Sequence, residues 1–273
     1  MRVCRLWFVV VAQGEVLDDV ELGDNEAAFS IATVVFHDRG GEVFLVVGTA
    51  QDMLLHPRTL KCGYIHVYRF LEGKRLQLLH KTKVADVPYA LCEFKGRLAA
   101  SVGRLLRIYD LGLRKLLKKC ESKSMPTFVA SIQVNASRLY VSDMAESVHL
   151  FKYNPKANSL MHFADDLVPR YTTAVLPLDY DTVAIADKFG NIAVLRLPPD
   201  ISDDVDNPTG DRLLWETGVL NGAPNKVRAT VLLCCRTPAC VCCRAPVDAV
   251  VVWVWVWALV WFAVAANLSV PCG

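Results

Sequence analysis

Apolar residues along the chain form short runs that are separated by turn residues, and the clearest case is DTVAIADKFGNIAVLRLP at Asp181–Pro198. This segment predicts a strand at Thr182–Ala186, a tight turn through Gly190 and a second strand at Asn191–Leu197. Glycine and asparagine tolerate the positive φ that such a turn requires. Both flanks are rich in valine, isoleucine, alanine and leucine, which is typical of strands that are buried on both faces.

The same hairpin recurs at Leu45–Phe70, Leu98–Leu111 and Leu139–Tyr153. The second strands of the four hairpins begin near Ile65, Leu106, Val148 and Ile192, a period of roughly 40–45 residues. Outer strands are predicted at Leu76–Val84, Lys115–Glu121 and Leu160–Asp165. Inner strands are predicted at Ser30–Phe36, Pro88–Phe94, Thr127–Val134 and Tyr171–Leu178, and Asp24–Ser30 is predicted as the turn that leads into the first of them.

This period predicts an all-β fold, a partial WD-repeat-like β-propeller of about four four-stranded blades followed by an irregular apolar tail. The Trp-Asp dipeptide of WD repeats is absent, so the propeller would be a divergent one. The N-terminal apolar run Leu6–Ala12 is short for a signal peptide and is followed directly by polar residues. It is interpreted as a strand that pairs with Val16–Leu22.

Charge and cysteine content narrow the functional classes. Lys plus Arg is 30 and Asp plus Glu is 28, so the net charge of +2 offers no electrostatic basis for nucleic-acid binding. Of the ten cysteines, only Cys4, Cys62, Cys92 and Cys120 precede residue 228. They are scattered like small buried apolar residues, which indicates a reducing compartment.

The body of the chain has no recognisable catalytic motif. No nucleophile elbow, phosphate loop or His-Glu-x-x-His sequence is present, and the six histidines occur singly. His66 and His149 occupy equivalent repeat positions, which favours a structural role. Asp165 and Asp166 are adjacent on a predicted strand and would face opposite sides, so they cannot share a proton. We therefore expect no catalytic residues, no cofactor and no metal.

The composition changes abruptly near Arg228, which predicts a partial propeller at 1–228 and an unrelated tail at 229–273. Ala249–Ala266 is apolar throughout and near the lower limit for a membrane span, roughly 17–25 residues. The tail is interpreted as out-of-family translation, such as a retained intron, or alternatively as a membrane tail anchor at 249–266. Cys240 and Cys243 lack a second ligand pair and do not predict a metal site.

Several segments resemble one known family between about residues 16 and 227. They are DNEAAF (Asp24–Phe29), LHKT (Leu79–Thr82), LLRIYDLG (Leu105–Gly112), FADDLVPR (Phe163–Arg170), ADKFGN (Ala186–Asn191), NPTG (Asn207–Gly210) and LNGA (Leu220–Ala223). This set is similar to the C-terminal propeller region of the splicing factor 3b subunit 3 family. The family is related to damage-binding protein 1 and to the large subunit of cleavage and polyadenylation specificity factor.

The resemblance implies a non-enzymatic protein-interaction scaffold of the spliceosome that supports branch-site recognition in the nucleus. It implies splicing factor 3b subunit 1 and other subunits of the same complex as partners, with only indirect association with pre-mRNA and the branch-site snRNP. The upstream propellers and last blades of the family are expected to be missing. Two alternatives stay open: a cullin-ligase adaptor of the damage-binding type, and a tail-anchored membrane protein.

Partner-binding residues are expected at the ends of blades, where loops carry function. The ADKFGN turn nominates Asp187, Lys188 and Phe189, and the FADDLVPR segment nominates Arg170. For Phe189 the alternative is a packing role between blades.

Overall fold

A computed structural model of the chain describes residues 4–10, 15–37, 39–71, 75–199, 201, 215–220, 250–256 and 260–266. Regular structure among these residues consists of strands, with no helix. The first strands are β1 (Cys4–Val10), β2 (Glu15–Leu22), β3 (Glu26–Val35), β4 (Val43–Gln51), β5 (Leu54–Leu55), β6 (Arg58–Thr59), β7 (Cys62–Leu71) and β8 (Arg75–Val84).

The middle of the chain continues with strands of similar length. They are β9 (Leu91–Phe94), β10 (Arg97–Val102), β11 (Leu105–Leu111), β12 (Leu116–Ser122), β13 (Val129–Asn135), β14 (Arg138–Asp143), β15 (Val148–Asn154) and β16 (Ser159–Asp165). The last strands are β17 (Thr172–Pro177), β18 (Thr182–Asp187), β19 (Ile192–Arg196), β20 (Trp215–Leu220), β21 (Val250–Val256) and β22 (Val260–Ala266).

In the described residues most of these strands form four-stranded antiparallel sheets, as the blades of a propeller do. Four of the sheets are meanders, with the orders β3-β4-β7-β8, β9-β10-β11-β12, β13-β14-β15-β16 and β17-β18-β19-β20. Their strands coincide within a few residues with the predicted inner and outer strands. The predicted all-β, propeller-like fold class is therefore confirmed, and the small β5-β6 hairpin lies within the predicted long loop of the first meander.

The fifth sheet corrects the expectation of a wholly irregular tail. Its order is β2-β1-β21-β22, so two tail strands extend the N-terminal hairpin. β1 pairs antiparallel with β21, with Trp7 opposite Trp253. Alternating valine and tryptophan have high β-propensity, and β1 offers a free edge on the side that β2 does not occupy.

Two further predictions for the C-terminal part of the chain concern residues that the structure does not describe. The proposed boundary at residue 228 and the Cys240–Cys243 pair lie outside the described residues. Within the described part of the chain, no helical segment has the length and apolar character that a membrane-spanning helix needs.

The turn into the first meander is tighter than predicted. Asp24 and Asn25 both have a φ of 55°, and the amide of Glu26 donates to the carbonyl of Gly23 at 3.1 Å. Two successive positive φ values define the hairpin turn whose twist matches that of the flanking strands, and aspartate and asparagine tolerate it. β3 therefore begins at Glu26, four residues earlier than the predicted start at Ser30.

The chain divides into two compact units. Unit 1 comprises the described residues within Met1–Arg97, Leu111–Leu116 and Cys234–Gly273, and unit 2 those within Leu98–Asp110 and Leu117–Leu233. In unit 1, Cys4, Leu6 and Leu22 pack against Leu45, Val47 and Tyr68. In unit 2, buried residues of β14–β16 pack against those of β17–β19; among them are Tyr140, Leu150, Phe163, Val183, Ile185 and Leu195.

A buried carboxylate links all four strands of the first meander. Glu26 on β3 accepts a hydrogen bond from Thr49 on β4 at 3.0 Å and contacts Nε2 of His66 on β7 at 2.8 Å. Lys81 on β8 also donates to it. Burial alone would raise the pKa of Glu26, but these hydrogen bonds and the charge of His66 outweigh burial and lower that pKa to about 2. His66 thus has the structural role predicted for it.

This network predicts an acid-sensitive stability. Because the pKa of Glu26 falls from an ordinary 4.5 to about 2 on folding, its contribution to the free energy of unfolding is full above pH 4.5. The contribution is lost as the pH falls towards 2, and it amounts to about 3 kcal/mol. Urea unfolding at a series of pH values measures this loss, and Glu26→Gln should flatten the pH dependence in that window. Equal slopes for the two proteins would contradict the assignment.

Candidate protein-interaction surface

Three connections at one end of the last two meanders of unit 2 join into one surface. They are the β14–β15 turn at 144–147, the β16–β17 loop at 166–171 and the β18–β19 turn at 188–191. The amide of Ser147 donates to the carbonyl of Arg170 at 3.2 Å, and the amide of Lys188 donates to the carbonyl of Tyr171 at 2.9 Å. Backbone hydrogen bonds therefore hold the three connections beside one another.

Asp143 anchors the first of these connections from below. Its carboxylate is fully buried and accepts hydrogen bonds from the amides of Thr127 at 2.8 Å, Ala145 at 2.9 Å and Glu146 at 3.1 Å. The hydroxyl of Thr172 donates to the carbonyl of Asp143 at 2.7 Å. These bonds fix the turn, because a buried carboxylate without donors would be costly.

Asp166 anchors the second connection and forms an ion pair with Arg170. Its carboxylate accepts hydrogen bonds from the Ser147 hydroxyl at 2.6 Å, the Val168 amide at 3.1 Å and the Arg170 guanidinium at 2.9 Å. The side chains of Arg170 and Asp166 are only 10% and 4% exposed. The structure therefore places Arg170 beneath the surface, where it supports the loop.

Asp187 closes the ADKFGN turn by hydrogen bonds to its own segment. The carboxylate accepts from the amides of Phe189 at 2.8 Å and Asn191 at 2.9 Å, and from the Asn191 side-chain amide at 2.8 Å. Partial burial acts to raise the pKa of Asp187, but these hydrogen bonds outweigh burial and the pKa is lowered. Gly190 has a φ of 92°, which only glycine adopts easily.

The next two residues of the turn project outward. Nζ of Lys188 lies 3.4 Å from the ring centroid of Tyr171 and 5.0 Å from that of Phe189. The two rings meet edge to face with their centroids 5.9 Å apart. Phe189 is 54% exposed and Tyr171 is 43% exposed. A cation over two partly exposed aromatic rings is a rigid, preorganised group for contact with another molecule.

Two apolar residues of the β16–β17 loop extend this group. Leu167 is 70% exposed and Val168 is 47% exposed. We call Leu167, Val168, Tyr171, Lys188 and Phe189 the Tyr171 surface. The sequence did not predict Tyr171, Leu167 or Val168 as contact residues. Leu167 and Val168 lie within the FADDLVPR segment that nominated Arg170, and Tyr171 directly follows it. Clustered exposed apolar side chains with a basic residue are typical of protein–protein contacts.

The structure also brings together residues that the sequence separates. His149 and His162 occur singly in the sequence, but in the structure their ring centroids are 5.2 Å apart, and Asp165 lies beside them. Sequence reasoning missed the cluster because His149 and His162 lie on different strands of one hairpin.

Comparisons with known proteins agree with the resemblance found in the sequence. The family described as "CPSF A subunit region" matches residues 8–236. "Spliceosome-associated protein 130 A" of Arabidopsis thaliana is 53% identical over 211 residues, which are 76% of this chain and 17% of that protein. "Splicing factor 3B subunit 3" of Danio rerio is 51% identical over 221 residues, which are 80% of this chain and 18% of that protein. The chain thus spans less than a fifth of the length of these relatives.

The hydrogen bonds of Asp187 predict that its carboxylate keeps the β18–β19 turn conformationally ordered. Asp187→Ala removes the acceptor for the amides of Phe189 and Asn191, so we expect those amides to exchange with solvent faster. Because the site is partly exposed, we expect a loss of about 1 kcal/mol in unfolding free energy. Hydrogen exchange measured by NMR checks the first expectation and urea unfolding the second. Asp187→Asn keeps one oxygen acceptor and should lose less unfolding free energy than the alanine variant. Equal amide exchange rates in the alanine variant and the parent would contradict the role assigned to Asp187.

Proposed function

Because the chain belongs to the CPSF A subunit region family, we propose that it is a non-enzymatic protein-interaction module of the spliceosome that acts through the Tyr171 surface. The observation that carries the proposal is the preorganised group of Tyr171, Lys188 and Phe189, exposed at the end of two tightly packed sheets. Aromatic residues that are fixed before binding lose little conformational entropy when a partner covers them.

The relatives support the spliceosomal part of this proposal, since their names describe splicing factors and a spliceosome-associated protein. By this proposal the chain supports branch-site recognition in the nucleus. Its chief partner is splicing factor 3b subunit 1, together with other subunits of the same complex. The proposal also keeps the division of the chain into a partial propeller at 1–228 and a tail at 229–273, and two segments of that tail extend the N-terminal hairpin of β1 and β2.

Association with pre-mRNA and the branch-site snRNP is indirect in this proposal. The net charge of +2 is small for a chain of 273 residues, whereas phosphate contacts dominate nucleic-acid affinity. The Tyr171 surface itself offers one basic residue among apolar ones, which suits a protein partner that has an apolar patch and a nearby carboxylate.

The test measures binding of the full chain to purified splicing factor 3b subunit 1. We expect Lys188→Glu combined with Phe189→Ala to weaken the affinity by about tenfold or more, because a central aromatic anchor typically costs more than 1 kcal/mol when truncated. Calorimetry or surface plasmon resonance gives the dissociation constants, and circular dichroism verifies that each variant is folded.

Matched controls exist at the opposite end of the same sheets. Leu178 lies between β17 and β18 and is 54% exposed, as Phe189 is, and Lys156 is exposed between β15 and β16. Leu178→Ala combined with Lys156→Glu should leave the affinity unchanged. Unchanged binding by the Lys188–Phe189 variant would refute the role of this surface. Recovery of a cullin from cell extract, in place of spliceosomal proteins, would favour the damage-binding type of adaptor.

A further inference from the structure

A β-bulge in the third meander, β13-β14-β15-β16, gathers three potential metal ligands on one face. His149 on β15 lies opposite Asp165 on β16, and Phe151 lies opposite His162. In a regular strand His162 and Asp165, three positions apart, would face opposite sides. The register shifts between Leu150 and Phe151, so β16 carries one extra residue there. A bulge of this kind re-aims side chains, and here it turns both His162 and Asp165 towards His149.

The distances within this cluster suit a bound ion. Nδ1 of His149 and Nε2 of His162 are 3.3 Å apart. One ligand atom from each of His149, His162 and Asp165 lies within 4.8 Å of the other two. With Zn–N bonds of about 2.0–2.1 Å, two nitrogens in tetrahedral coordination lie about 3.4 Å apart.

The surroundings favour a cation. Asp165 is a ligand candidate, and the carboxylates of Asp143 and Asp166 also act electrostatically on His149. His162 and Asp165 are only partly buried, which leaves a path from solvent to the cluster. Two imidazoles and one carboxylate are a common protein ligand set for zinc, with the fourth position open to water.

We propose that His149, His162 and Asp165 bind a zinc ion that fastens the outer strand β16 to β15. Asp165 directly precedes Asp166, the anchor of the β16–β17 loop, so the ion would also steady one side of the Tyr171 surface. The site does not depend on the proposed spliceosomal role.

The experiment uses the full chain with Cys240→Ser and Cys243→Ser, which removes a competing thiol pair of the tail. Zinc chloride is titrated into protein labelled with 15N at its histidines, and the ring nitrogen signals are followed by NMR near pH 7.5. We expect two histidines to respond with one equivalent of zinc and the melting temperature to rise, because an ion that binds the folded state stabilises it.

Variants identify the ligands. His162→Ala and Asp165→Asn alter partly exposed residues, and each should weaken zinc affinity by more than about tenfold, since losing even an outer-shell partner costs 10–100-fold. His56→Ala, at an exposed histidine in the loop between β4 and β7, should leave the affinity unchanged. The proposal is overturned if zinc shifts no pair of histidine signals, or if His162→Ala binds zinc as tightly as the parent.

Discussion

Most residues of the second strand of each meander are buried, and this constraint governs the rest of the structure. All six residues of β14 are buried, as are eight of the nine residues of β4. Since successive side chains of a strand face opposite sides, both faces of such a sheet need a covering layer. Arg138, the basic residue on β14, can also be buried, because it donates hydrogen bonds to the Tyr180 carbonyl and to the Asp181 carboxylate, both at 2.6 Å.

Burial on both faces leaves the polar residues at the strand ends to organise the connections. Glu26 is paired across the four strands of its sheet, and Asp143 and Asp166 are saturated by donors from neighbouring loops. Each buried carboxylate is compensated locally, so the loops above them are ordered. Lys188 and Phe189 therefore project outward from an ordered turn. The residues available to a partner are thus different from the buried carboxylates that stabilise the loops.

Local pattern alone determined the strands and several of the turns. Apolar runs broken by glycine, aspartate and asparagine predicted β18, β19 and the turn at Gly190, because turn chemistry and β-propensity act within a few residues. The repeat of these hairpins predicted the sheet order, since each unit returns its chain to the next in the same way. The motifs from DNEAAF to LNGA were sufficient to identify the family, and one of them, ADKFGN, indicated the turn that carries Lys188 and Phe189.

Only the tertiary structure decided which residues meet. The amide of Lys188 donates to the carbonyl of Tyr171, which lies in a separate loop. The side chain of Arg170 is buried because its guanidinium donates to the carboxylate of Asp166. The bulge that brings His162 to His149 depends on how two strands register, which no local pattern specifies. The tail strands likewise pair with β1 because an edge was open to them, and an open edge is a property of the assembled sheet and not of any one segment.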